Sequence, residues 1–242
     1  FGVEYAEPDY LVYPIETLAS PPKSPFGNTP PLPFATTPDD PRYSEQWALH
    51  NTGQTSGRDD ADIDAPEAWD LTKGNDTIIV GVIDTGVQVA HPDLLANIWV
   101  NTGEIAGDTI DNDGNGYIDD INGWDFANND ASVYDDPDID DHGTHVSGTI
   151  GAATNNALGI SGVAWNVKIM SLKFLHNGGS TSNAITAIEY AVANGAHMTQ
   201  NSWGGGGASQ ALQDAIEASG AAGLLFMAAS GNSGLDADAT PM

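Results

Sequence analysis

The chain has 242 residues and no cysteine, with 34 acidic against 6 basic side chains and a formal net charge of −28. That balance excludes nucleic acid as a partner, because phosphate binding needs Lys and Arg to neutralise backbone charge, and it excludes a polybasic attachment to membranes. With 40% hydrophobic residues and six Trp the chain can build a core, which excludes disorder for most of it; disulfides and Cys nucleophiles are excluded outright.

No stretch reaches the ~18 apolar residues of a membrane span. The chain begins at Phe1 with no signal-peptide pattern and reads as a piece of a longer product. A large acidic excess without disulfides suits a secreted, extracellular protein stabilised by cations, although an acidic halophile cytosol has the same composition.

In chain order, residues 3–13 (VEYAEPDYLVY) are short and aromatic with two valines, which predicts a strand; Pro8 argues for an edge or interrupted one. Nine of the fourteen prolines fall from Pro14 to Pro41, so residues 14–41 read as an extended linker and residues 42–242 as the globular part. Residues 77–84 (TIIVGVID) form a continuous apolar run closed by a carboxylate and Gly86, the pattern of a buried parallel strand. Residues 167–174, 197–203 and 223–229 are further runs with strand character. Between them, residues 181–194 and 209–219 place Ile185, Ile188 and Val192, and Leu212 and Ile216, on single helix faces. Ser182 and Ser209 are the expected N-caps, and Gly195 and Gly220 the expected stops. Strand, helix and strand in alternation imply an α/β domain with a mainly parallel sheet.

Open parallel sheets gather functional groups beyond the C-terminal ends of their strands. Asp84 ends the first strand, His142 opens a run of small residues (HGTHVSGT), and Asn232 follows the last strand in Ala228-Ala229-Ser230-Gly231-Asn232. Singly each reads as a cap, a structural histidine or a turn residue. Together they are chemically coherent. A carboxylate orients an imidazole and stabilises its cation, so that the other ring nitrogen takes a proton from a hydroxyl nucleophile. A helix beginning at His142 would disfavour the charged ring while Asp84 favours it. Asn232 would donate to a developing oxyanion.

These residues resemble the subtilisin-like serine proteases, the subtilases (peptidase S8). The signatures are residues 82–86 around the acid, residues 142–149 around the base, Asn201-Ser202-Trp203-Gly204-Gly205, and residues 228–232, in the family's Asp-then-His order. The resemblance implies a three-layer fold and a serine endopeptidase acting through an acyl-enzyme. In it Asp84 is the triad acid, His142 the general base, Asn232 the oxyanion-hole side chain and His145 a structural histidine. Ser202, Trp203 and Gly204 match the strand that pairs with an extended peptide substrate and walls its pocket, with Ala229 and Gly231 in a small-residue edge of that pocket. The family's nucleophile lies in a Gly-Thr-Ser-Met-Ala segment several dozen residues beyond the oxyanion Asn. No such segment occurs here, and Ser230 and Ser233 are loop residues in the family. The expectation is therefore a fragment, its C-terminal part missing, that is inactive by itself.

Calcium is the expected cofactor. Asp111, Asp113, Asn115 and Asp119 stand at positions one, three, five and nine of an EF-hand-like loop, with Gly116 at six, Tyr117 offering a carbonyl at seven, and Asp120 following. Asn122 replaces the bidentate Glu at twelve, and no helix pattern flanks the loop, so it reads as an isolated calcium loop. The plain alternative is an acidic surface turn, although clustered carboxylates repel without a cation. A second site follows from the resemblance alone: Asp93, the side chain of Asn156, the carbonyls of Thr154, Leu158 and Ile160, and Gln46 from the N-terminal side.

The resemblance also implies that residues 1–13 end an inhibitory propeptide, the chain's own partner besides peptide or protein substrates; the alternative is a strand of the catalytic domain. Pro14 after Tyr13 points to maturation within the linker. A monomer is expected. Two other readings stay open: a calcium-binding pseudoprotease or adhesion module, and a metallohydrolase using Asp141, His142 and His145, a thinner pattern than His-Glu-x-x-His.

Overall fold

The computed structural model describes residues 11–14 and 36–234. Its elements are β1 (Leu11–Pro14), α1 (Ala65–Leu71), β2 (Gly74–Asp84), β3 (Gly123–Asp125), α2 (Asp141–Gly151), β4 (Asn166–Lys173), β5 (Gly179–Ser180), α3 (Thr181–Ala193), β6 (Met198–Asn201), β7 (Trp203–Gly204), α4 (Gln210–Ala221) and β8 (Leu225–Ala228). Among the described residues no helix is long and apolar enough to cross a membrane.

Five strands form one wholly parallel sheet in the order β3-β4-β2-β6-β8. Strand side chains alternate between faces, and this sheet is buried on both. On one face Val80 and Val82 of β2 and Val167 and Ile169 of β4 pack with Val146 and Ile150 of α2. On the other, Ile83, Met170 and Leu172 pack against Ala184, Ala187, Ile188 and Ala191 of α3, with α4 beside α3. The result is three layers, α2 over the sheet over α3 and α4, as the sequence implies. The same alternation assigns Asp84 and Lys173, two residues beyond Val82 and Ser171, to the α2 face.

Both expected long helices are present, with two changes at their ends. The α3 cap is Ser180, whose hydroxyl accepts from Asn183 N, not Ser182; Gly195 follows its end at φ 72°. Ser209 caps α4 as expected, but α4 runs through Gly220 to Ala221, and Gly223 at φ 94° makes the turn into β8. Gly220 keeps helical geometry, so it stops nothing.

The run over residues 197–203 breaks at Ser202, and Trp203–Gly204 leave the large sheet for a second one. That sheet has the order β5-β1-β7, with β1 antiparallel to both neighbours. The expected edge strand is therefore its central one. Residues 3–10 of that expectation, and most of the Pro-rich stretch, lie outside the described residues. Within the described residues, the Thr36 backbone N–H bonds Asp70 Oδ1.

Candidate active site

Asp84 is the last residue of β2 and is 1% exposed. Its Oδ1 lies 2.7 Å from Nδ1 of His142 and also accepts the N–H of Thr85 at 2.7 Å. Because the carboxylate only accepts, the ring proton sits on Nδ1 and the basic lone pair on Nε2. The first turn of α2 is fastened to the loop after Asp84: Gly143 N donates to Thr85 Oγ1 at 3.0 Å, and Gln88 N donates to Thr144 Oγ1 at 2.9 Å. Glycine is needed at 143, where a Cβ would stand 2.3 Å from the carbonyl oxygen of Gly86. A small-residue helix thus reaches the strand end because its small residues let two backbones touch.

Directly beside this pair lies a group not foreseen from the sequence. Lys173 ends β4, in register with Asp84, and is fully buried. Its ammonium bonds Asp140 Oδ2 at 2.8 Å, lies 3.4 Å from Asp125 Oδ2, and also bonds Asp135. Burial works against the charged amine, but the hydrogen bonds with Asp135 and Asp140 outweigh it and push its pKa up to about 12. Burial raises the Asp125 carboxyl above its ordinary range. For Asp135 burial is outweighed by the bonds with Lys173 and Asp140, and its pKa falls. A lysine inside an apolar strand was the available signal, since buried lysines are almost always paired.

Asn232 is exposed in the turn after β8. It shares the C-terminal edge of the sheet with Asp84, because β6 separates β2 from β8 and pairs with both. Trp203, Gly204 and Ala229 line a groove of about 520 Å³ together with Val12, Leu212 and Phe226. Trp203 packs edge-on against Phe174 at 5.0 Å. Ser202 accepts a hydrogen bond from Gln200 Nε2 at 2.9 Å, and Gly231 lies in the turn at φ 81°. β1 forms one wall of the groove: Tyr13 is in register with Gly204 and Pro14 with Trp203, and Val12 is 3% exposed. Since β1 is antiparallel to β7, its C-terminal end runs toward Ser202, just past the C-terminal end of β6.

In the acidic loop, ligand oxygens of Glu104, Asp111 and Asp113 come within 4.8 Å of one another. Glu104 was not foreseen; it enters from outside the repeat, accepting from the backbone N–H of Asn112, Asp113 and Asp119. The side chains of the other expected ligands have the following partners. Asp119 accepts from Gly107 N and Thr109 N, and the side-chain amide of Asn115 bonds Asp113 and Asp120. Asp120 is fully buried and accepts from Asn101 Nδ2 at 2.7 Å and the Tyr190 hydroxyl at 2.5 Å. Tyr117 packs on Trp124, Phe126 and Tyr190.

At the second expected site, Asp93 is 4% exposed and accepts from Asn156 Nδ2 at 2.9 Å and Ile160 N at 2.9 Å. Gln46 spends both ends of its amide on the backbone of Ser161. Two carboxylates meet this loop from the N-terminal side: Asp39 is exposed and accepts from Ala157 N, and Asp40, 4% exposed, accepts from Asn155 N, Asn156 N and the Ser161 hydroxyl. Thr154 bonds Gly162 through its hydroxyl, and Leu158 N donates to Asn156 Oδ1. Among the described residues no Lys, Arg or His pairs with Asp40 or Asp93. Two buried carboxylates against the same loop fit a cation, because their hydrogen bonds leave the negative charge itself without a cationic partner, and buried unpaired charge is strongly unfavourable. Asp141, His142 and His145 do not form a group able to hold one ion among the described residues.

A three-layer α/β fold with an Asp–His pair at the C-terminal edge of a parallel sheet defines the class. Residues 75–241 match the subtilase family model, peptidase S8, and the chain belongs to that family. It is 36% identical over 211 residues to an extracellular protease of Xanthomonas campestris, covering 81% of this chain and 35% of that one. It is 33% identical over 235 residues to a thermophilic serine proteinase of a Bacillus species, covering 96% of this chain and 45% of that protein. With thermitase of Thermoactinomyces vulgaris it shares 33% over 201 residues, 82% of this chain and 59% of the relative. The chain thus spans between about a third and three fifths of these relatives' length. Among solved structures, a protease of Pseudoalteromonas arctica superimposes with a TM-score of 0.60 at 32% identity, over 81% of this chain and 60% of that one.

Proposed function

We propose that this chain supplies the acid, the base and the substrate-pairing strand of a secreted, calcium-stabilised serine endopeptidase. The observation that carries the reading is the 2.7 Å contact between Asp84 Oδ1 and His142 Nδ1 at the sheet's C-terminal edge. Asp84 fixes the ring and stabilises its cation. His142 Nε2 takes the proton of a serine hydroxyl as that oxygen attacks the peptide carbonyl, then returns it to the leaving amine. Asn232 donates to the oxyanion of the tetrahedral intermediate; in subtilisin, the family's namesake, loss of the corresponding donor costs about 10²–10³ in turnover. The serine comes from sequence outside these 242 residues, so the chain by itself is inactive.

The substrate is an extended peptide that adds a strand between β5 and β7, where main-chain pairing gives affinity and the groove selects side chains. In this chain β1 takes that place, which supports residues 1–13 as the inhibitory end of a propeptide. Calcium would be held by Glu104, Asp111 and Asp113 in one loop and by Asp40, Asp93 and Asn156 at the other. It would supply positive charge to buried or crowded carboxylates and take no part in proton transfer. Secretion is supported by the extracellular relative from Xanthomonas campestris.

The test is turnover of a peptide substrate by the complete gene product. Activity that is lost in both Asp84→Asn and His142→Ala supports the reading. A complete, calcium-binding but inert protein would make it the pseudoprotease instead.

A further inference from the structure

Lys173 stands at a junction of four elements. Its ammonium reaches Asp125 at the end of β3, Asp135 in the following loop, and Asp140 before the first turn of α2. Its own Cα is in register with Asp84 on one side and Asp125 on the other. Asp140 stands two residues before His142 and is fully buried. Its Oδ2 accepts from Asp135 N at 2.9 Å and Asp136 N at 3.0 Å in addition to Lys173. The Asp140 carbonyl accepts the Thr144 hydroxyl one turn on. One cation therefore ties the strand ends to the start of the helix that bears the base.

Such a network is weak evidence for stability as such, because an apolar side chain of similar volume often does as well. What ions add here is direction, since each hydrogen bond fixes one element against another. Without the ammonium, three carboxylates would face one another in a low-dielectric site. Their repulsion acts between the strand ends and the first turn of α2, the same joint that sets the distance from Asp84 to His142.

We propose that Lys173, acting through Asp140, is a positioning residue that holds His142 within hydrogen-bond reach of Asp84. The proposal rests on reading those two residues as the working acid–base pair, but its test needs no turnover.

In the 242-residue chain the Nδ1 proton that His142 shares with Asp84 should give a low-field proton NMR signal, and the ring ¹⁵N shifts should report the tautomer. The expected result is that this signal is shifted or lost in Lys173→Met and in Asp140→Asn, and kept in Lys173→Arg, which retains the charge. Asp140→Asn preserves size and one acceptor oxygen, so it carries the test if Lys173→Met does not fold. A folded Asp140→Asn chain with the wild-type signal and tautomer overturns the positioning role. That outcome would leave the catalytic reading intact, which is tested separately by turnover of the complete protein and its loss in Asp84→Asn and His142→Ala.

Discussion

Asp84 and His142 lie 58 positions apart in the chain, yet their Oδ1 and Nδ1 atoms meet at 2.7 Å. The contact exists because β2 ends with its carboxylate on the α2 face and because Gly143 lets the helix backbone touch the loop at Gly86. Replacing Gly143 by Ala should break that approach. In the complete protein turnover should fall by at least ~10²-fold, on the scale of a misplaced catalytic group, and the low-field His142 signal should vanish. An active Gly143→Ala enzyme with an intact signal would contradict this geometry.

Asp84→Asn keeps the size of the side chain but lets it donate to the ring, favouring the wrong tautomer. A fall in turnover of about 10⁴-fold is expected from the analogous change in other triad proteases. Folding should be unaffected, so circular dichroism and melting serve as the control.

The two carboxylate loops share no ligand residue and should act separately. Adding a chelator should lower the melting temperature of the chain, and restoring calcium should recover it, because a ligand that binds only the folded state stabilises it by mass action. Calorimetric titration of Asp40→Asn should lose one binding event and keep the other, and Asp113→Asn should do the reverse. A titration with no heat at either loop would remove calcium from the picture.

Asp135 is the arm of the lysine network that solvent reaches, its side chain 37% exposed. Its folded pKa lies below the ordinary carboxylate value through its bonds with Lys173 and Asp140, which outweigh burial. A carboxyl with a depressed folded pKa contributes stability that is present above its unfolded pKa of ~3.9 and is lost as pH falls through the folded value. Unfolding free energy should therefore drop more steeply below ~pH 4 in the wild type than in Asp135→Asn. Parallel slopes would show that the pair contributes nothing.

Val12 is buried in β1, which pairs with β7 and lines the groove together with Trp203. Val12→Asp places a charge there and should release β1. The expected outcome is that an extended apolar peptide binds the variant at least ~10-fold more tightly than the wild type, in which β1 competes with it. Equal affinities would mean that β1 does not occupy the peptide's place.

Much of this was legible in the residues because burial leaves a period. The runs at 77–84 and 167–174 gave two neighbouring strands, the helical spacing of Ile185, Ile188 and Val192 gave α3, and strand ends pointed to Asp84 and Asn232. What was not legible depends on contacts between distant segments. Asp40 hides at the end of a proline-rich stretch, and only the fold shows its carboxylate against residues 155–161. Glu104 stands outside the acidic repeat, and its approach to Asp111 and Asp113 is set by loop closure. Lys173 shows as an anomaly in an apolar strand, but Asp125, Asp135 and Asp140 come together around it only when β3, a loop and α2 are placed. Asp120, by spacing a metal ligand, is turned inward to the Tyr190 hydroxyl.

The most direct measurement is active-site labelling of the complete gene product with a fluorophosphonate, followed by mapping of the labelled residue. The expected result is one labelled serine outside Phe1–Met242, with labelling abolished in His142→Ala. Label on Ser230 or Ser233, or labelling that survives His142→Ala, would contradict the pairing of Asp84 and His142 with an external serine.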